Sequence, residues 1–389
     1  MTIIKNARII GRSDITNGCI AYENGRIVPL SDTIPTDAEI IDAGGLYLAP
    51  GFVDIHSHGG GGHDFLDGTL AAFLGAAELH AKYGTTTIIP TATSASFEET
   101  SALLAVFEEA RLNNPLGADM PGIHLEGPYF SPKQCGAQDP RYIRSPQPDE
   151  YNRILDASEH IMRWSSAPEL EGSEEFAKAC IAHGVLPAIG HSDADYDEVK
   201  AALGFGFTHV THLYSATSTV HRKNAYRYAG IVECAYLFDE MTVEIIADGV
   251  HLPKPLLEMV YRFIGPDRCA LVTDSMRGAG LPDGSTSILG SLENGTEVII
   301  EDGVAKMPDR QAFAGSVATA DRLIRTMVRT AEIPLTDAVT MMTATPAKLM
   351  KLDDRGTLDI GKRADLVLFD DDINVKMTVI GGKTVKNEL

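Results

Sequence analysis

Pro50-Gly51-Phe52-Val53-Asp54-Ile55-His56-Ser57-His58 is a short apolar run that ends in two histidines. It reads as a buried strand. Two residues apart in extended backbone, His56 and His58 face the same way. Similar runs follow downstream. Residues 122–126 end in His124-Leu125-Glu126-Gly127-Pro128, residues 186–190 lead to His191-Ser192, residues 208–212 end in Thr211-His212-Leu213, and residues 269–273 lead to Asp274-Ser275. With the β-branched runs at 86–90, 161–165 and 243–247, the candidate strands number eight.

Helix-like stretches lie between them, at 70–83, 97–113, 173–183, 196–204 and 254–264. Ser96-Phe97-Glu98-Glu99 has the form of a capping box at one of these starts. Strands alternating with helices predict an α/β fold of the (β/α)8 TIM-like barrel type. Residues 275–309 are expected to carry extra loops with a hairpin near 297–306, and helices at 319–331 and 335–349 to close the domain.

The flanks read differently. Residues 2–10, 18–23, 26–30 and 39–42 are strand-like, with Asn24-Gly25 as a hairpin signal, and residues 366–369 and 375–380 return to that style. The expected organisation is a small β-sandwich domain built from both termini, residues 1–50 and 353–389, around a barrel at 51–352.

Composition narrows the function classes. The chain has 389 residues, 44% of them hydrophobic, enough for one large core and a satellite. A net charge of −21 repels phosphate backbones and anionic membranes, so neither nucleic acid nor a bilayer is an expected partner. The five cysteines are scattered without CxxC spacing, which argues against disulfides and a thiolate zinc site. No apolar run approaches the ~20 residues of a membrane helix, and the first residues lack the regions of a signal peptide. The expectation is a cytoplasmic protein.

In a barrel of this type the active site gathers at the C-terminal ends of the strands, where the notable residues fall. His56 and His58 fit a metal clamp, or two loop histidines bonded to backbone. Glu126 fits a cation ligand, or an ion pair with a loop arginine such as Arg144. His191 and His212 end strands and suit zinc, iron or related ions. His124 and His209 read as packed or hydrogen-bonded core histidines. Asp274 can take a proton from a water beside a metal and return it to a leaving group, or cap a helix.

Taken together, these segments resemble the amidohydrolase superfamily, and within it the N-acetylglucosamine-6-phosphate deacetylases. The most specific pieces are His124-Leu125-Glu126-Gly127-Pro128, Thr211-His212-Leu213-Tyr214, Ala247-Asp248-Gly249-Val250-His251, Thr273-Asp274-Ser275-Met276 and Ala314-Gly315-Ser316. The resemblance implies that Glu126, His191 and His212 hold one divalent metal, and that His56 and His58 add a second with Glu126 as bridge. It implies one or two ions per subunit, zinc first, with iron or manganese as alternatives. Asp274 matches the family's general acid/base and His251 a sugar contact.

Other positions depart from the family. Ser215-Ala216-Thr217 stands where Asn-Ala-Met is common, so Ser215 and Ala216 are the expected phosphate contacts. The stretch from His221 to Tyr228 replaces an Arg-Glu-Pro-Gly segment whose arginine serves the neighbouring subunit. Arg222, Lys223 or Arg227 would supply that charge in a homodimer. Gln138 stands where some members place a histidine that polarises the carbonyl. The implied activity is hydrolysis of the acetamide of an N-acetylhexosamine 6-phosphate, an amino sugar substrate. Two other readings stay open: a different N-acetyl substrate (free sugar, galacto epimer or N-acyl amino acid), and a silent metal-binding scaffold.

Overall fold

The computed structural model describes residues 1–30 and 35–389, so residues 31–34, within the first expected domain segment, lie outside the described residues. Eight parallel strands form the central sheet in chain order: Phe52–Ser57, Thr85–Ala92, Ile123–Glu126, Ile161–Ser166, Leu186–Ile189, His209–Val210, Thr242–Ile245 and Cys269–Leu271. A parallel bridge between Ser57 and Ser275, with Asp274 N–H donating to His56 O at 2.9 Å, closes the last strand onto the first. All eight expected strands and the expected (β/α)8 barrel are present.

Alternation within each strand separates two environments. Val53 and Ile55, Ile123 and Leu125, Trp164, and Val243 and Ile245 belong to buried hydrophobic clusters. The residues between them (Asp54, His56, His124, Glu126, Arg163, Ser165, Glu244) are buried, and several bond one another across the barrel interior. The outer shell is an apolar layer against the helices, and the inside of the barrel is polar toward the C-terminal ends of its strands.

The helices Leu70–Lys82, Phe97–Leu112, Ser173–Ala182, Tyr196–Phe205 and Lys254–Phe263 match the expected stretches, and the Ser96/Glu99 capping box is formed. Helices Pro148–Ala157 and Ile231–Leu237 were not expected. The helix expected over 335–349 is two, Leu335–Met342 and Ala344–Leu349, broken at Thr343. Pro346 explains the break: its ring would clash with the Met342 carbonyl and it has no N–H, yet it fits the first turn of a new helix.

Both chain ends share a second sheet of eight strands. Thr2–Ile10 pairs with Ile15–Glu23, Glu39–Asp42 and Tyr47–Pro50, and the last of these pairs with Leu366–Phe369 from the tail. This sheet encloses its own core of Ile4, Tyr22, Leu48, Leu366, Met377 and neighbours. Asn24 and Gly25 turn the predicted hairpin with φ of 49° and 76°, the left-handed pair such a two-residue loop needs. After the last barrel strand, Thr286–Leu289, Thr296–Glu301 and Val304–Lys306 form a three-stranded antiparallel roof. It includes the expected hairpin and one further strand.

Candidate metal centre and substrate cavity

Four imidazoles surround one carboxylate at the barrel mouth. Glu126 Oε1 lies 3.2 Å from His191 Nε2, 2.9 Å from His212 Nε2 and 3.6 Å from His56 Nε2, while Oε2 lies 3.3 Å from His58 Nε2. These form two ligand-competent groups, His56/His58/Glu126 and Glu126/His191/His212, with the glutamate in common. Asp274 Oδ1 stands 3.1 Å from His58 Nε2 and 3.5 Å from His56 Nε2. Distant parts of the chain converge because each residue sits in or just after a parallel strand, and closure of the barrel brings those ends together.

Each imidazole is oriented from behind. Nδ1 of His58 meets Thr91 O at 3.2 Å, that of His191 meets Gln134 O at 2.9 Å, and that of His212 meets Ser215 O at 3.1 Å. A carbonyl can only accept, so each Nδ1 carries a hydrogen, and the neutral form of each ring has its Nε2 lone pair available to ligate a cation beside Glu126. His56 Nδ1 instead meets the Glu244 carboxylate at 2.5 Å. Outer partners of this kind accompany metal-binding histidines. His56 Nε2 is buried without a hydrogen-bond partner, an orphan that a cation would satisfy. The donor set, one carboxylate and imidazole nitrogens, fits a zinc-like divalent ion.

The carboxylates draw positive charge into this place. Burial raises the pKa of Glu126, yet His56, His191 and His212 hold its carboxyl well below the ordinary range. Asp274 is likewise penalised by burial and lowered by His56 and His58. Burial lowers the pKa of His56, but Glu244, Glu126 and Asp274 push it up to about 9. The site therefore presents two ionised carboxylates in a dry setting, where a cation is attracted strongly.

His191, His212 and Asp274 adopt left-handed backbone, φ 46°, 29° and 44°. Such conformations cost on the order of 1–3 kcal/mol each and concentrate at functional sites. Local bonds hold them. Glu169 accepts from Ser192 Oγ at 2.6 Å and Asp193 N at 2.7 Å, just beyond His191. Asp274 O accepts from Ser316 N at 2.8 Å, and Met276 N donates back to Ser316 O at 2.9 Å. Gly315 lies inside this junction with φ 69°, where a Cβ would approach Asp274 O to 3.0 Å. That spacing accounts for the glycine of Ala314-Gly315-Ser316.

Behind the ligands is a buried pair that sequence reading missed. Arg163 donates to both oxygens of Glu244, and both residues are wholly buried. Arg163 also donates to His124 Nδ1 at 2.9 Å and His209 Nε2 at 3.2 Å. Burial and the guanidinium hold the His124 imidazole well below its ordinary pKa, so it is neutral, and its remaining N–H goes to Ser165 Oγ at 2.7 Å. His124 and His209 are thus hydrogen-bonded core histidines. The sequence signal for the pair was a lone arginine and a lone glutamate, each central in an apolar run. The alternatives for the acids are not realised: Arg144 pairs with Glu150, and no helix follows Asp274.

A cavity of about 330 Å³ opens above the cluster, lined in part by His58, Glu126, His191, His212 and Asp274. Gln138, Ser215, Ala216 and His251 also line it, as do Leu289 and Phe313 of the roof segment. Gln138 donates to Glu126 Oε2 at 2.8 Å and so fixes its orientation. Arg222, Lys223 and Arg227 lie instead on an exposed hairpin, His221–Lys223 with Tyr226–Tyr228, and none lines the cavity of its own chain.

A sequence profile described as the Amidohydrolase family matches residues 47–385. Among curated proteins, the N-acetylglucosamine-6-phosphate deacetylase of Vibrio furnissii is 32% identical over 350 residues, 90% of this chain and 85% of that protein. The N-acetylgalactosamine-6-phosphate deacetylase of Escherichia coli O157:H7 is 30% identical over 358 residues, 92% of this chain and 90% of that protein. The solved structure of N-acetyl-D-glucosamine-6-phosphate deacetylase from Mycobacterium smegmatis superposes with a TM-score of 0.88 at 30% identity, covering 99% of this chain and 100% of that one.

Proposed function

Because this chain belongs to the amidohydrolase family, we propose that its barrel-mouth site hydrolyses the acetamide of N-acetylglucosamine 6-phosphate to glucosamine 6-phosphate and acetate. The observation that carries this reading is the Glu126 carboxylate ringed by four Nε2 atoms, with Asp274 at 3.1 Å from one of them.

In this reading Glu126, His191 and His212 would hold a divalent ion, and His56, His58 and Glu126 could hold a second. Zinc is the proposed metal, with iron or manganese compatible with the same donors. A bound divalent ion supplies polarisation of the acetyl carbonyl and acidifies a water. Asp274, ionised before reaction, would accept the proton of the attacking water as its oxygen bonds to the carbonyl carbon and the carbonyl π bond opens onto oxygen. The same carboxyl then gives the proton to the amide nitrogen as the C–N bond breaks, since an unprotonated amine is a poor leaving group. Gln138 steadies Glu126 from the side. His251, Ser215 and the Ala216 backbone take the sugar and its phosphate. Arg222, Lys223 or Arg227 reaches the phosphate in the other subunit of a homodimer. We further read residues 1–50 with 353–389 as one structural unit, and the protein as cytoplasmic. Among the described residues no helix is long and apolar enough to cross a membrane.

The relative that acts on the galacto epimer makes that sugar the second candidate. The test is acetate release by metal-replete protein from N-acetylglucosamine 6-phosphate, N-acetylgalactosamine 6-phosphate and the two free sugars. The gluco phosphate should give the highest kcat/KM. Asp274→Asn should lower kcat by roughly 10²–10⁴-fold while its metal content stays at the wild-type level. Absence of acetate from every sugar would overturn the proposed function, and equal rates for phosphorylated and free sugars would overturn the phosphate contacts.

A further inference from the structure

Phe313 is the unusual wall of the cavity. It is 40% exposed at the mouth of a site whose floor of His58, Glu126, His191, His212 and Asp274 is buried. It is also braced. The His251 ring lies 4.8 Å from it, tilted by 53°. That imidazole is in turn locked to Asp248, whose Oδ2 meets Nδ1 at 2.8 Å and whose Oδ1 accepts the His251 N–H at 2.8 Å. On its other side, Phe313 is three residues from Ser316, whose backbone bonds bolt this segment to Asp274 and Met276. The ring is thus an apolar face held at a fixed place relative to the general acid/base, and uncovered.

We propose that Phe313 is the platform on which the pyranose of the substrate rests, and so a specificity-determining residue for a cyclic sugar. This rests on the deacetylase reading of the same site. A saturated sugar ring presents one face of C–H groups, and a preorganised aromatic face covers them at little conformational cost. The polar edges of the sugar stay free for His251 and Ser215. A platform contributes binding to substrate and transition state alike, so its loss should appear in KM and not in kcat.

The test uses metal-replete wild type, Phe313→Ala, Phe313→Leu and Phe313→Trp. Two readouts apply: steady-state kinetics with N-acetylglucosamine 6-phosphate, and calorimetric binding of the product glucosamine 6-phosphate. Phe313→Ala should raise KM and the product Kd about tenfold with kcat within about threefold. Phe313→Leu should lie between alanine and wild type, and Phe313→Trp should stay within about threefold of wild type. Metal content and melting temperature show whether each variant is folded, and the leucine variant, close in volume, serves if alanine is not. A product Kd and KM unchanged in alanine and leucine variants would overturn the platform. So would a fall in kcat alone, or leucine binding as well as tryptophan. Wild type that releases no acetate would overturn the deacetylase reading itself, a result distinct from an active wild type indifferent to Phe313.

Discussion

Glu244→Gln keeps the size of the side chain and removes its charge from the centre of the barrel. The wild-type carboxylate receives the His56 Nδ1–H at 2.5 Å, the His212 backbone N–H at 3.2 Å and both terminal nitrogens of Arg163. Two consequences follow from that geometry. Arg163 is left charged in the interior with no anion beside it, only the glutamine amide oxygen, His124 and His209 as acceptors, and removing the charge of one member of a buried pair costs about 3–5 kcal/mol. The single amide oxygen cannot serve Arg163 and His56 as two carboxylate oxygens do, so His56 loses its charged acceptor, and loss of such an outer partner lowers metal affinity about 10–100-fold, or about 1.4–2.7 kcal/mol. Urea unfolding measures the first effect and competition with a chromogenic chelator the second. The double variant Glu244→Gln/Arg163→Met separates them. It removes the stranded cation, so most of the stability should return, while metal affinity stays low because His56 still lacks its carboxylate. A single variant within about 1 kcal/mol of wild-type stability, with unchanged metal affinity, would refute the reasoning. Recovery of metal affinity in the double variant would show that His56 is not positioned through Glu244.

Gly315→Ala should lower the melting temperature and reduce kcat without loss of metal, because the new Cβ meets Asp274 O at 3.0 Å in a left-handed backbone. Wild-type melting and turnover would contradict the close-approach argument. The pH dependence of stability should also report Glu244. Burial raises its pKa, but Arg163 and His56 lower it further, leaving it well below the ordinary value. A carboxylate depressed by folding contributes fully above its unfolded pKa of about 4.3, and the contribution is lost as pH falls toward the folded value. The stability gap between wild type and Glu244→Gln should therefore narrow in acid below that pH. A constant gap would assign the stabilisation to something other than this ionisation.

Most of the fold and the centre of the site were legible in the chain. The strands could be read because a buried parallel strand needs a short β-branched apolar run, and its end was marked wherever a histidine or acid followed. The helix break at Thr343 could have been read from Pro346, whose missing N–H forbids a continuous helix. Helix Ile231–Leu237 is only seven residues, too short for a helical period to stand out. Phe313 was illegible as a site residue, since its place depends on a backbone junction between segments 274–276 and 312–316 that local pattern does not encode.

Alternation of period two, repeated eight times, determined which side chains enter the barrel and that their strand ends meet. That much follows from local backbone geometry and the need to bury an apolar face. It could not decide depth. His56, His124 and Glu126 all point inward, but His124 lies two residues before Glu126, roughly 6.6 Å lower in the barrel. Register across the sheet pairs His124 with Arg163, so a guanidinium occupies its lone pair. His56 instead reaches Glu244 with one nitrogen and leaves the other bare toward Glu126. Two inward-facing histidines thus differ, one a neutral core residue and the other a candidate ligand, because hydrogen-bond partners are chosen by strands that the chain brings together only on folding.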